Sequence, residues 1–445
     1  MHAMVGQSLR SPHEFPVVLG HPGLSFGQNE TCMTRFFPRG TTPEDRAMHA
    51  STILRCCIGE ILDTLHATRC RRLLDAVEAL VAGRRLTLTE LARQWPGAEQ
   101  VHAPLKALDR LLSNSHLHAE SEGLQRAITA RLLQGMPRPV LQVDWSPLKK
   151  DGRWALLRAS VAMGGRAMPV HEQVFPLKRM NHPAAQKEFL QQLARQLPTN
   201  SSPILVTDAG FRSDWFRAVQ AHGWDYVGRL RSNTHTRPLE VDDWAPCGTL
   251  HASATAQPAD LGPHRIVKGQ PMTSRLVLYR GRRTGRDKLT RAGVPEQGGI
   301  SKKARLAARE PWLLVTSLGA ETHCAERIVA IYRTRMQIEE AFRDLKSHRF
   351  GVGFTDSLTR KSKRAGVLLL LNRLASFAAW MMASAARNTQ SVDPLARQKS
   401  HMHRYSAWRR GMEWLRIKRL PQDIRAGLQA VLDELLDRKL GLALL

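Results

Sequence analysis

Tyr332, Arg335, Glu339 and Lys346 lie in the segment YRTRMQIEEAFRDLK, spaced Tyr-x2-Arg-x3-Glu-x6-Lys. Good helix formers dominate the segment, and it holds no Gly or Pro, so a helix is expected. At about 100° per residue, Ile331, Ile338, Phe342 and Leu345 share one apolar stripe. With Tyr332 at zero, Arg335, Glu339 and Lys346 fall at roughly −60°, −20° and −40°, a narrow band beside that stripe. Glu340 and Asp344 point away from it. Taken alone, the pattern also describes a solvated helix with i,i+3 and i,i+4 charge pairs. Partners elsewhere in the chain decide between the two.

Two such partners are Asp144 in PVLQVDWS and Asp208 in PILVTDAGF, each closing an apolar run that reads as a strand. An Asp ending a strand is often only a turn residue, yet strand ends in α/β sheets are where ligand sites gather. Three carboxylates together would repel and raise one another's pKa. Divalent cations remove that cost, and Mg²⁺ takes oxygen ligands, usually a few carboxylates with water and substrate phosphate. Two such ions can activate an attacking oxygen and stabilise a leaving one in phosphoryl transfer. The bases suit the same substrate, since Arg grips phosphate bidentately, Lys acts as a point charge and Tyr donates a hydrogen bond. The chain agrees in bulk: 66 Lys plus Arg against 39 Asp plus Glu give a formal charge of +27, which points to a polyanionic partner.

The elements that must position these residues follow from the pattern. Residues 1–47 hold five Pro and five Gly without periodicity and read as a loose extension; Met48 follows directly and is an alternative start. Residues 48–136 are helical, with Thr87 as N-cap and Glu90 three residues on. Short helices with tight breaks suit a helix-turn-helix-like DNA-binding module as well as an ordinary helical bundle. Over 137–230 three strands are followed by alternating helix and strand, an α/β pattern. Residues 231–310 break it as a strand-rich insertion, in which 280–310 carries ten Lys or Arg against three acids. A strand at PWLLVTSL and the Tyr332 helix occupy 311–365, and 366–445 is helical again. The apolar run Val367 to Ala386 contains Asn372 and Arg373 and reads as a buried helix rather than a membrane span.

The four-residue signature, VDWS around Asp144, VTDAGF around Asp208 and RMQIEEAFRDLKS resemble the insertion-sequence family-four transposases, whose mark is this Tyr-Arg-Glu-Lys spacing, in particular those of the Tn-ten branch. The resemblance runs from about Met48 to the C-terminus and includes RRLTLTELAR, DRLLSNSHLH and LRASVAMGGRA. It implies an α/β fold with an RNase H-like catalytic core, split by a β-rich insertion and flanked by helical domains. It implies Asp144, Asp208 and Glu339 as the metal ligands of a DDE site using Mg²⁺, with Mn²⁺ able to substitute and two ions bound. It further implies cut-and-paste transposition: nicking, hairpin formation and opening, then strand transfer. The partners implied are the terminal inverted repeats and target DNA, with a homodimer on paired ends. Trp312, 20 residues before Tyr332, matches a Trp that in relatives stacks on a flipped base; its alternative is a core or sheet-edge Trp. A second Trp of some relatives is replaced by Met336. Tyr332, Arg335, Lys346 and Trp312 are thus the expected DNA-binding residues.

Other classes fit less well. The N-terminus lacks a secretory h-region, and six cysteines at 32, 56, 57, 70, 247 and 324 form no Cys-x2-Cys pair. A reduced bacterial cytoplasm, at the nucleoid, is the expected location, with no membrane partner. His116 with His118 and His401 with His403 lack ligand-spaced partners and read as surface histidines. The rivals are a metal-dependent endonuclease without strand transfer, and a DNA-binding repressor whose site has decayed.

Overall fold

Alternation along three central strands decides which side of the sheet each aspartate faces. In the computed structural model, residues 49–281, 294, 310–388, 405–417 and 420–436 are described. The segment 1–47, and the basic stretch between 281 and 310 apart from Val294, lie outside them. Strand β1 (Val140–Pro147) pairs in parallel with β4 (Ile204–Thr207), which pairs in parallel with β5 (Asp225–Arg229). Val140, Ile204, Val206 and Val227 join one apolar cluster, whereas Leu141, Val143, Leu205 and Tyr226 join another. Successive strand side chains point to opposite faces, so these strands are covered on both sides and read as continuous apolar runs.

On the far side of β1 lie the antiparallel β2 (Trp154–Ala162) and β3 (Ala167–Pro176). The turn between them uses Gly164 and Gly165, both at positive φ. Strands β6 (His235–Pro238), β7 (Ala245–Pro246), β8 (Ala259–Ile266) and β9 (Met272–Tyr279) come between β5 and β10 (Trp312–Thr316) in sequence. In space β10 pairs directly with β5, and β9 to β7 continue beyond it. The result is one ten-stranded mixed sheet in the order β3-β2-β1-β4-β5-β10-β9-β8-β6-β7. The fold is therefore mixed α/β around a large sheet.

Helices α1 (Ala50–Leu62), α2 (Ala67–Gly83), α3 (Leu88–Arg93), α4 (His102–Leu112) and α5 (Ser115–Leu132) precede the sheet. The Thr87 hydroxyl caps α3, accepting from the Glu90 backbone N–H at 3.3 Å. Helices α6 (Pro183–Gln196) and α7 (Ser213–Ala221) follow β3 and β4. Phe216 of α7 stacks on Tyr226 of β5 at 4.6 Å, on the face opposite Val227. That other face carries α8 (Ala325–Arg333), whose Ile328, Val329, Ile331 and Tyr332 complete its apolar cluster. Helix α9 (Met336–Lys346) continues along the same side.

Helix α10 (Ser362–Ala385) is long and apolar enough to cross a membrane, but 94% of its most apolar window is buried within the protein. It packs against α1, α2, α4, α5 and β3, and against α11 (Ala407–Trp414) and α12 (Gln422–Leu436). Its Arg373, fully buried, donates to Gln125 O (2.9 Å), Thr129 Oγ1 (2.6 Å) and Val170 O (3.0 Å). One side chain thereby ties α5, α10 and β3 together, which makes its buried charge tolerable. The α10–α11 crossing depends on Gly411, where a Cβ would sit 1.7 Å from Ala379 O, a backbone atom. Gly411→Ala is expected to cost about 1–3 kcal/mol through overpacking, read as a lower denaturant midpoint; an unchanged midpoint would mean that the crossing relaxes freely.

Candidate active site

Strand parity brings Asp144 and Asp208 together. Asp144 shares its face with Val140 and Gln142, and Asp208 shares that of Ile204 and Val206. The parallel register pairs Val143 with Thr207, so the aspartates are the next residues on neighbouring strands, about 4.8 Å apart in strand spacing. Each carboxylate is partly tied down: Asp144 Oδ1 accepts from Trp145 N and Asp208 Oδ1 from Gly210 N, both at 2.8 Å. A Cβ at Gly210 would lie 2.9 Å from Asp208 Oδ1, so a side chain there would push that carboxylate aside.

The Tyr332–Lys346 segment forms two helices rather than the single one expected. Arg335 N, Gln337 N and Ile338 N all bond three residues back, to Tyr332, Thr334 and Arg335 carbonyls. This is 3₁₀ pitch, and it separates α8 from α9. At this junction Thr334 Oγ1 donates to Ile331 O at 2.7 Å and accepts from Nε2 of buried Gln142 of β1 at 3.1 Å. The tighter junction shifts the wheel but leaves the stripe facing β1.

Arg335 Nη1 lies 2.6 Å from Glu339 Oε1 and 3.9 Å from Asp144 Oδ2. Its guanidinium stands between the two acids. Lys346 donates to Ser146 Oγ at 2.6 Å and to Pro147 O at 3.3 Å. An open cleft is lined by Asp144, Ser146, Glu339, Phe342, Arg343 and Lys346. Glu340 and Asp344 face elsewhere, toward Arg166, and Arg343 also pairs with Glu340. Tyr332 is only 4% exposed; its ring meets the Trp312 edge at 4.9 Å, and Arg335 lies 5.9 Å from it. Trp312, half-buried at the start of β10, also touches Tyr279 at 5.7 Å.

Gln142, Thr334 and Ser146 escaped the sequence reading. The available signal was β1 itself, whose one face reads Val140, Gln142, Asp144, Ser146, turning polar toward the cleft. Arg158 was also missed. Opposite Asp144 in register, it is 1% exposed, bonds Glu172 at 2.8 Å and lies 4.7 Å from the Phe342 ring, seating α9 on β2.

Burial and the neighbouring Asp208 push the Asp144 carboxyl up to about 7, against the pull of Arg335 and the Trp145 N–H. Burial also raises the Tyr332 hydroxyl and lowers the Lys346 ammonium. Burial works against the Arg335 charge, yet Tyr332, Glu339 and Asp144 more than offset it and hold the group above its ordinary value. Buried Arg335 Nε has no acceptor among the described residues.

A sheet that sets two aspartates side by side, beside a helix bearing Arg, Glu and Lys, defines a carboxylate site suited to an anionic substrate. Transposase DDE domains match residues 135–375, more than half of the chain, and the chain belongs to that family. No curated protein matches it. A solved cryo-EM structure of a piggyBac transposase synaptic complex with hairpin DNA is similar at 10% identity over 90% of this chain and 84% of that one, with a TM-score of 0.40; that likeness is too distant to transfer residue roles.

Enzymes of this family generally work with divalent metal ions. The aspartate pair fits one: its donors are all oxygen, and the raised Asp144 carboxyl marks a place short of positive charge. Glu339 does not complete a set as placed, since it is turned to Arg335. Among the described residues no three His, Cys, Asp or Glu side chains are arranged to hold a metal ion.

A pH dependence follows. Between 3.8, the ordinary value, and about 7 the folded chain keeps a proton that the unfolded chain has lost. Stability therefore falls as pH rises through that window. A divalent cation must displace the same proton. Addition of MgCl₂ is expected to raise the melting temperature more at about pH 8 than at about pH 5.5. Equal shifts at both would remove Asp144 from the ligand set.

Proposed function

We propose that the chain is a cut-and-paste DNA transposase of the insertion-sequence family-four group, in its Tn-ten branch. The observation that carries this is the β1–β4 register, which sets Asp144 beside Asp208 on the face where Arg335 and Glu339 arrive. The reading takes β1 to β5, in the order β3-β2-β1-β4-β5, as an RNase H-like core (137–230 and 311–365). The stretch 231–310 is its β-rich insertion, 48–136 a helical DNA-binding domain and 366–445 a helical C-terminal domain.

In this proposal Asp144, Asp208 and Glu339 hold Mg²⁺, in two ions, with Mn²⁺ able to substitute. Bound there, the metal supplies charge stabilisation for attack on a phosphodiester. Arg335 has two tasks. In the free protein it neutralises Glu339 and Asp144; on DNA its unpaired Nε and planar fork take a phosphate, which frees Glu339 to turn toward the aspartates. Lys346, anchored on Ser146, adds a fixed positive charge at the cleft mouth. Tyr332 backs Trp312, which presents an aromatic face to a flipped base. The partners are terminal inverted repeats and target DNA, bound by a homodimer on paired ends in the bacterial cytoplasm, at the nucleoid.

The test uses the full chain and a labelled duplex whose ends are read from the inverted repeats flanking the gene. Mg²⁺-dependent nicks, hairpins and strand-transfer products on a denaturing gel support the proposal. Cutting without joining supports the endonuclease, and binding without cutting the decayed repressor.

A further inference from the structure

Leu358 is 94% exposed. Single surface leucines need no explanation in general, but such side chains usually fold back on a neighbour. Leu358 does not. Residues 357–360 run extended with alternating burial: Ser357 and Thr359 are 2% and 7% exposed, whereas Leu358 and Arg360 point out. The inward side is fastened. Lys149 Nζ donates to the carbonyl oxygens of Ser357 and, at 2.8 Å, of Thr359, gripping the chain on both sides of Leu358. The Trp154 indole N–H donates to Arg360 O at 2.8 Å. Lys149 lies in the β1–β2 connection, just beyond Asp144, Trp154 opens β2, and Thr355 Oγ1 donates to Lys346 O at 2.9 Å. The strap is thus fixed beside the carboxylate site, to the β1–β2 connection, the start of β2 and the end of α9.

Its surroundings are cationic. Arg360, Lys361 and Lys363 are exposed and have no acidic partner among the described residues, while Asp356 Oδ2 is hydrogen-bonded to the His348 ring at 2.6 Å. A cleft beside Leu358 runs to Thr87 and Thr89 at the start of α3; Asp356 also lines it, and Arg364 on its wall is paired with Asp109 at 2.7 Å. An apolar side chain directed outward beside the unpaired Arg360, Lys361 and Lys363 suits one occupant: double-stranded DNA, whose phosphates meet the cations while the apolar group enters a groove. Apolar side chains used in this way wedge against base steps.

We propose that Leu358 is a DNA wedge, and that Arg360 and Lys361 hold the duplex backbone on either side of it. The proposal rests on the transposase reading and adds a contact outside the carboxylate cleft. Its test is anisotropy of a fluorescein-labelled mixed-sequence duplex titrated with the full chain over a KCl series. Leu358→Ala is expected to weaken binding about 5- to 20-fold, in the range of a single apolar or stacking contact, with an unchanged salt slope. Arg360→Ala with Lys361→Ala should make the slope shallower by about 1.8, since each neutralised phosphate contributes about 0.9. A photoreactive benzoylphenylalanine replacing Leu358 should cross-link to the duplex. Cross-linking to a second copy of the chain instead, or wild-type affinity in Leu358→Ala, overturns the wedge even if the wild type cuts DNA with Mg²⁺. A wild type that binds no duplex overturns the wedge and the transposase reading together.

Discussion

Asp144→Asn and Asp208→Asn are each expected to lower strand cleavage by about 10³-fold or more, the scale of losing one preorganised charge-stabilising group, with Asp144→Asn leaving the protein at least as stable. Asn keeps an oxygen for the 2.8 Å bonds from Trp145 N and Gly210 N and removes the charge. In the free protein that charge is a burden, as burial and mutual repulsion hold the Asp144 carboxyl at about 7. Relief of strain with loss of activity is what a functional carboxylate pair predicts, because sites of this kind are kept at a cost in stability. Glu339→Gln should be equally inactive, and Glu340→Gln close to wild type, since Glu340 serves Arg343 and Arg166. The measurement is Mg²⁺-dependent nicking of an end duplex beside a denaturant melt. An active Glu339→Gln together with an inactive Glu340→Gln would reassign the third acid. Active aspartate variants would move the chemistry away from this sheet.

What could be read from residues alone was local. Short apolar runs placed β1 and β4, with an Asp at the end of each. The 3.6-residue stripe placed Glu339, not Glu340, beside the apolar edge. The break at Thr334 was not legible, since good helix formers run through it and the contact made there comes from Gln142, 192 residues away in sequence. The pairing of β5 with β10 was equally hidden: Gly228 meets Val315 across the whole β6–β9 segment, and strand pairing at such separation leaves no local mark. The Arg335–Glu339 pair is the sharpest difference. A helical wheel shows the two as i,i+4 neighbours, yet only the fold shows that the same guanidinium reaches Asp144. Arg335 thus places a side-chain cation beside Asp144.

Trp312→Ala is expected to spare the first nick on the proposed pathway and depress hairpin formation roughly 5- to 150-fold. Closing a hairpin forces terminal nucleotides out of the stack at a cost of a few kcal/mol, and a base–aromatic stack returns about 1–3 kcal/mol, which becomes that rate factor if it acts fully in the transition state. The structure sharpens the test. Trp312 is half-buried, with one edge against Tyr332 at 4.9 Å and another near Tyr279 at 5.7 Å. Truncation to Ala therefore also removes packing from the face that seats Arg335. Trp312→Phe keeps an aromatic ring beside both tyrosines and should retain folding and much of the hairpin. The ratio of hairpin to nick then separates the roles. A loss of packing lowers both products together, by displacing Arg335 and the carboxylates. A lost base stack lowers the hairpin alone, and Phe restores part of it. Equal loss of nick and hairpin in Trp312→Ala, with full recovery of both in Trp312→Phe, would make Trp312 a core residue of β10 and leave the flipped base without a partner at this position.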